Sequence, residues 1–134
     1  MTDSAQAESV LHAAYVEEAE GYARAERLAG ELAAACGRGE PLDGRLQQVL
    51  DLLNDIAARD ARVAPVKESW LRAGRPAGTE LRAVMDRIAA LIGALSVHLQ
   101  ILEQAAQSRR DELAAELDAC NRRRQMQRAY LGGS

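Results

Sequence analysis

The sequence predicts an all-α protein, an elongated antiparallel three-helix bundle or coiled coil with a long third helix. Apolar residues recur at spacings of four and three along three segments, the seven-residue repeat of packed helices. Pro41 and Pro76 fall in glycine-containing breaks between those segments, where they act as punctuation. Composition agrees: 48% of the chain is apolar but much of that is alanine, Phe is absent and aromatics are 3%, so thin Leu, Ile and Val seams are expected. A chain of 134 residues suits one domain.

The first helix is expected from about residue 4 to 36. Ser4 is a candidate N-cap, and early acids complement the helix dipole. Its stripe is Leu11, Tyr15, Glu18, Tyr22, Ala25, Ala29, Leu32 and Cys36, weakened near the middle by Glu18 and Gly21. Gly37-Arg38-Gly39-Glu40-Pro41 should end it, with Gly37 as the stop. So short a connection implies an antiparallel neighbour.

The second helix is expected over about 42–73, starting at Leu42 or Asp43. It carries Leu46, Val49, Leu50, Leu53, Ile56, Ala57, Val63, Ala64, Trp70 and Leu71, with Asp60 and Lys67 interrupting the stripe. Pro65 cannot donate to the carbonyl of Ala61, which predicts a kink there; the pattern resuming at Trp70 argues against a break. After the loop at 73–78, Thr79 is the candidate cap of the third helix.

That third helix is expected over about 79–128. Leu81, Met85, Ile88, Ile92, Leu95, Leu99, Leu102 and Ala106 form its seam, widened by Val84, Leu91, Val97 and Ile101. Residues 81–102 thus read as core. Beyond Glu103 the helix turns polar and arginine-rich, and the register changes at Arg109. The first two helices are too short to cover all of it, leaving a protruding C-terminal segment, 107–134, that could be mobile and order on binding.

Net charge is −3, which argues against an obligate nucleic-acid partner. Residues 1–36 carry seven acids and two arginines, while 107–134 carry six arginines and four acids; antiparallel neighbours could bring these ends together. No apolar run reaches about 18 residues without charge and the start lacks a signal-peptide pattern, so a soluble cytoplasmic protein without a membrane span is expected.

Chemistry-bearing patterns are sparse. Cys36 and Cys120 have no CxxC or Cys/His metal spacing and read as reduced thiols. Neither His12 nor His98 has the following residues of a histidine phosphotransfer domain, and neither forms a Glu-x-x-His metal pair. Glu17, Glu18 and Glu20 read as a solvated face rather than acid–base machinery. No GxGxxG, P-loop or GxSxG occurs. Arg122-Arg123-Arg124 with Arg109, Arg110 and Arg128 reads as a solvated helix end before it reads as a phosphate site. No catalytic residue, cofactor or metal is therefore expected, and the protein is read as a non-enzyme.

The layout resembles the flagellar FlgN-type export chaperones over nearly the whole chain. The resemblance rests on Glu-Glu-Ala-Glu at 17–20, a short glycine-containing break, a Leu-x-x-x-Leu second helix and a long third helix. Late in the third helix the family tends to have Asn-x-x-Asn-x-x-Leu-Leu, then Tyr and Gly. Here Gln107, Arg110 and Leu113 hold that spacing, followed by Asn121, Gln125, Tyr130 and Gly132-Gly133; both asparagines are replaced, and the second Leu is Ala114. The resemblance implies a cytoplasmic chaperone that binds helical termini of hook–filament junction proteins and delivers them to the export gate. By position it implies substrate contact at Leu113 and gate contact at Tyr130. To these the apolar pattern adds Leu117, Met126 and Leu131 as anchors for a partner helix. The alternative is a coiled-coil scaffold that self-associates as a homodimer through the same seam; a phosphotransfer domain is a more distant one.

Overall fold

The computed structural model describes residues 3–42 and 44–132, as three helices: α1 (Asp3–Gly37), α2 (Arg45–Ala73) and α3 (Thr79–Gly132). The described residues are all helix, turn or loop, and α1 packs against both other helices in a three-helix bundle. They group into two compact units, one up to Gln100 and one from Ile101.

Each helix stops where local chemistry stops it, and the details correct several expected caps. Ser4 lies inside α1 rather than capping it. At the other end α1 stops at Gly37 as expected, and the residue that turns the chain is Gly39. Gly39 has φ +70°, its N–H donates to the Cys36 carbonyl (3.1 Å), and the Glu40 N–H donates to Ala35 (2.9 Å). This pair of bonds is a Schellman motif, and only glycine enters its left-handed position without strain. Gly74 ends α2 in the same conformation (φ 68°).

α2 begins at Arg45 rather than Leu42, after Gly44, which offers no side-chain cap; the alternative start at Asp43 lies outside the described residues. The helix runs unbroken through exposed Pro65, whose missing donor costs one bond without ending the ladder. For α3, Gly78 takes the capping place expected of Thr79. Its carbonyl accepts from the Arg82 N–H (2.9 Å), and its own N–H donates to the Glu8 carboxylate of α1 (2.6 Å). At its far end α3 extends four residues past the expected 128, because no helix breaker precedes Gly132.

Within the unit up to Gln100, α1 and α2 are antiparallel, with Gly21 against Ile56 and Glu17 near Arg59. α1 and α3 are parallel, paired 70 to 72 positions apart through Glu8–Gly78 and Glu26–His98. The acidic first helix therefore lies along residues 78–98 of α3.

The core is a cluster of Leu11, Tyr15, Ala19, Leu81 and Val84, against which Val63, Val66, Trp70, Ile88 and Leu91 pack. Leu11, Leu32, Leu81 and Val49 are fully buried, each contributing about 1.5–3 kcal/mol of burial. The α3 seam has the expected period but a different phase. From Leu81 to Leu102, Leu81, Val84, Ile88, Leu91, Leu95, His98 and Leu102 are the buried or half-buried positions, along with Ala94 and Leu99, while Met85, Ile92, Val97 and Ile101 are exposed. Thus part of the apolar surface expected in the core faces outward. His98 fits in that seam because Gly30 opposite has no side chain; a Cβ there would lie 3.2 Å from Nε2. The same nitrogen pairs with Glu26 Oε1 at 3.0 Å.

Candidate functional site

In the unit from Ile101, every residue from Glu103 to Gly132 is exposed except Ala105 and Ala119, which are half-buried. The sequence explains the helix without a core. Alanine, glutamine, glutamate and arginine dominate, and local pairs brace it: Arg109–Glu112 and Arg122–Asp118, both at 3.6 Å, and Gln107 Nε2 to Asp111 at 3.0 Å. Each such exposed pair contributes only a few tenths of a kcal/mol, about 0.2–0.5. The arginines are thus partly engaged with neighbouring acids on their own helix.

All five anchors expected from the sequence lie here on the surface. Leu113 is 44% exposed, Leu117 62%, Met126 71%, Leu131 78% and Tyr130 89%. They do not form one stripe. Leu113 and Leu117 are one turn apart and share a face. Leu117 and Met126 are nine residues apart, about two and a half turns, and so point in nearly opposite directions. Met126 and Tyr130, one turn apart, share that second face and line one shallow apolar surface with Gln127 and Leu131, although Leu131, five turns from Leu113, returns to the face of Leu113. A helix carrying large apolar groups on two faces can engage helices by burial.

A second feature was hidden in the sequence. Glu17 and Glu20 are solvated as expected, but Glu18 is not: it is only 4% exposed. α1 turns it toward a cleft between the three helices in the unit up to Gln100. Tyr15 and Tyr22 of α1, Asp60 and Lys67 of α2, and Met85, Ile88, Ala89 and Ile92 of α3 line the rest of this open cleft of about 260 Å³. Glu18 Oε1 has no hydrogen-bond donor opposite it, and the partner of the Glu18 carboxyl is another carboxyl, that of Asp60. Burial first, then the Asp60 carboxyl as hydrogen-bond partner and like charge, pushes the Glu18 carboxyl up to about 7, while Lys67 and Arg59 pull the other way. Tyr15 and Tyr22 are also raised, chiefly by burial and then by the same two carboxyls.

The clue in the sequence was the coincidence of polar residues at seam positions of two helices, Glu18 in one and Asp60 and Lys67 in the other. Read singly, each looked like a weak spot. Of the other candidates, His98 is a structural seam residue, and Cys36 and Cys120 are free thiols, the first half-buried and the second exposed. α3 also contains an 18-residue window with at most two charged residues, long and apolar enough by composition to cross a membrane, of which 11% is buried. Compared with protein-family models, curated proteins and solved structures, the chain matches none.

Proposed function

We propose that this protein is a helical binding protein that captures partner helices on the C-terminal part of α3, as a cytoplasmic export chaperone of flagellar FlgN type. The supporting observation is the run of exposed helix from Glu103 to Gly132 carrying Leu113, Leu117, Met126, Tyr130 and Leu131 at its surface. An amphipathic helix with anchors one turn apart is a recurring way to hold another helix. Apolar anchors on two faces, Leu113, Leu117 and Leu131 on one and Met126 and Tyr130 on the other, suit two successive contacts. In this reading Leu113 and Leu117 hold the terminal helices of hook–filament junction proteins, and Tyr130 with Met126 and Leu131 meets the export gate. The sequence resemblance supplies the identity of both partners; the surface supplies only their chemistry. No catalytic step is invoked.

The test is capture of purified junction-protein terminal segments by the wild type and by Leu113→Asp/Leu117→Asp. Truncating or charging central anchors costs about 2 kcal/mol or more, so at least a thirtyfold weaker complex is expected with unchanged helicity. Loss of helicity and of cooperative melting would place the two leucines in a core and overturn the reading. Homodimerisation through the same seam is the competing use of this surface. A stable dimer in sedimentation that the same double substitution dissolves would favour the scaffold.

A further inference from the structure

We propose that the cleft floored by Glu18 is a binding site for an alkylammonium group, a cationic amine on an aliphatic stem. It uses only residues up to Gln100 and goes beyond helix capture by α3.

A carboxyl group this deeply buried is costly unless something compensates it. Glu18 Oε1 is buried with no hydrogen-bond donor opposite it, and the Glu18 side chain lines a cleft that a ligand could enter. Asp60 adds a second carboxyl to the same cleft. No ion pair within 4.0 Å among the described residues joins Lys67 or Arg59 to Glu18 or Asp60; Arg59 reaches toward Glu17 instead, at 3.9 Å. The remaining walls fit the rest of such a ligand. Tyr15 and Tyr22 offer aromatic surface, which attracts ammonium groups. Met85 and Ile92, each 40% exposed, give the aliphatic stem an apolar rail leading out of the cleft.

The proton inventory gives the site a signature. Glu18 is faced by Tyr15 and Tyr22 from its own helix and by Arg59, Asp60 and Lys67 from α2; α3 presents only Met85, Ile88, Ala89 and Ile92 to the cleft. A cation favours the ionised carboxylate, so binding should strengthen as pH rises through about 7, where the empty site loses its proton.

The shared chemistry has two sources, a free amine or a lysine side chain on a protein partner, and the experiment separates them. Full-length protein is titrated calorimetrically with 1,5-diaminopentane and, in a second arm, with an alanine-rich helical peptide bearing one central lysine. Saturable binding that rises with pH, and that weakens about tenfold in Glu18→Gln, is expected in at least one arm. Binding of the diamine identifies a small amine as sufficient; binding of the peptide alone identifies a protein lysine. Asp60→Asn should weaken the same titration and Lys67→Met, which removes a competing cation, should strengthen it. Circular dichroism of each variant verifies the fold. No saturable binding in either arm, or equal binding by folded Glu18→Gln, overturns the proposal.

Discussion

Replacing Glu18 by Gln removes one titrating proton from a buried position while keeping the shape of the side chain. The wild-type carboxyl has its ordinary value of 4.5 in the unfolded chain and about 7 in the folded one. Between those values the folded protein holds more protons than the unfolded chain, so its stability falls as pH rises and stays lowered above about 7. At about 1.36 kcal/mol per pH unit, an isolated group would lose about 3 kcal/mol across the window. Sharing of charge with Asp60 and the opposing Lys67 and Arg59 make about 2 kcal/mol the lower bound of the expectation. Glutamine resembles the protonated acid, so the two proteins should be about equally stable below pH 4.5. Above about 7 the variant should be more stable by about 2–3 kcal/mol. Urea unfolding followed by circular dichroism at several pH values measures the difference directly. Parallel stability curves for the two proteins, or a variant weaker than wild type in the alkaline arm, would show that Glu18 is solvated in solution and refute the buried-carboxyl argument.

The remaining predictions probe helix and core. Gly93 is exposed in mid-helix, and a Cβ added there would meet nothing within 4 Å, so Gly93→Ala should stabilise the protein by about 0.5–1 kcal/mol in thermal melting. Gly39→Ala should do the opposite, costing about 1 kcal/mol, because φ +70° is strained for any side chain although space is open. Leu11→Ala leaves a cavity in the main cluster and should cost about 2–5 kcal/mol in urea unfolding, whereas Leu117→Ala should change stability by less than about 0.5 kcal/mol. If Leu117→Ala proved as destabilising as Leu11→Ala, the exposed anchors would be core residues.

Much of the fold was legible because helical bundles write their period into the chain. Three helices, two glycine–proline breaks and the apolar stripe of α1 from Leu11 to Leu32 all follow from residue spacing. Cap positions were less legible. Thr79 and Ser4 are good capping residues by type, yet the cap of α3 is Gly78, whose carbonyl takes the first helical bond and whose N–H is held by Glu8 of another helix. In the C-terminal segment, composition showed which residues are apolar on a polar helix. That Leu113 and Leu117 face away from Met126 follows equally from a 3.6-residue turn.

Residue order alone was enough for the class of fold, the length of each helix to within a few residues and the polar character of the chain beyond Glu103. The phase of the α3 seam came from packing. Met85 and Val84, or Ile92 and Leu91, are equally apolar, and a seven-residue repeat states a spacing without stating which of two adjacent stripes meets α1. Rotation of a helix about its axis is set by the surfaces it packs on: Gly30 opens a place for His98, and the buried stripe follows. The same holds for Glu18. Its position in the α1 stripe was visible, but its burial arises from Asp60 and Lys67 on α2 and the apolar wall of α3 arriving on either side. Solvent exclusion belongs to the assembled helices, and no single helix encodes it.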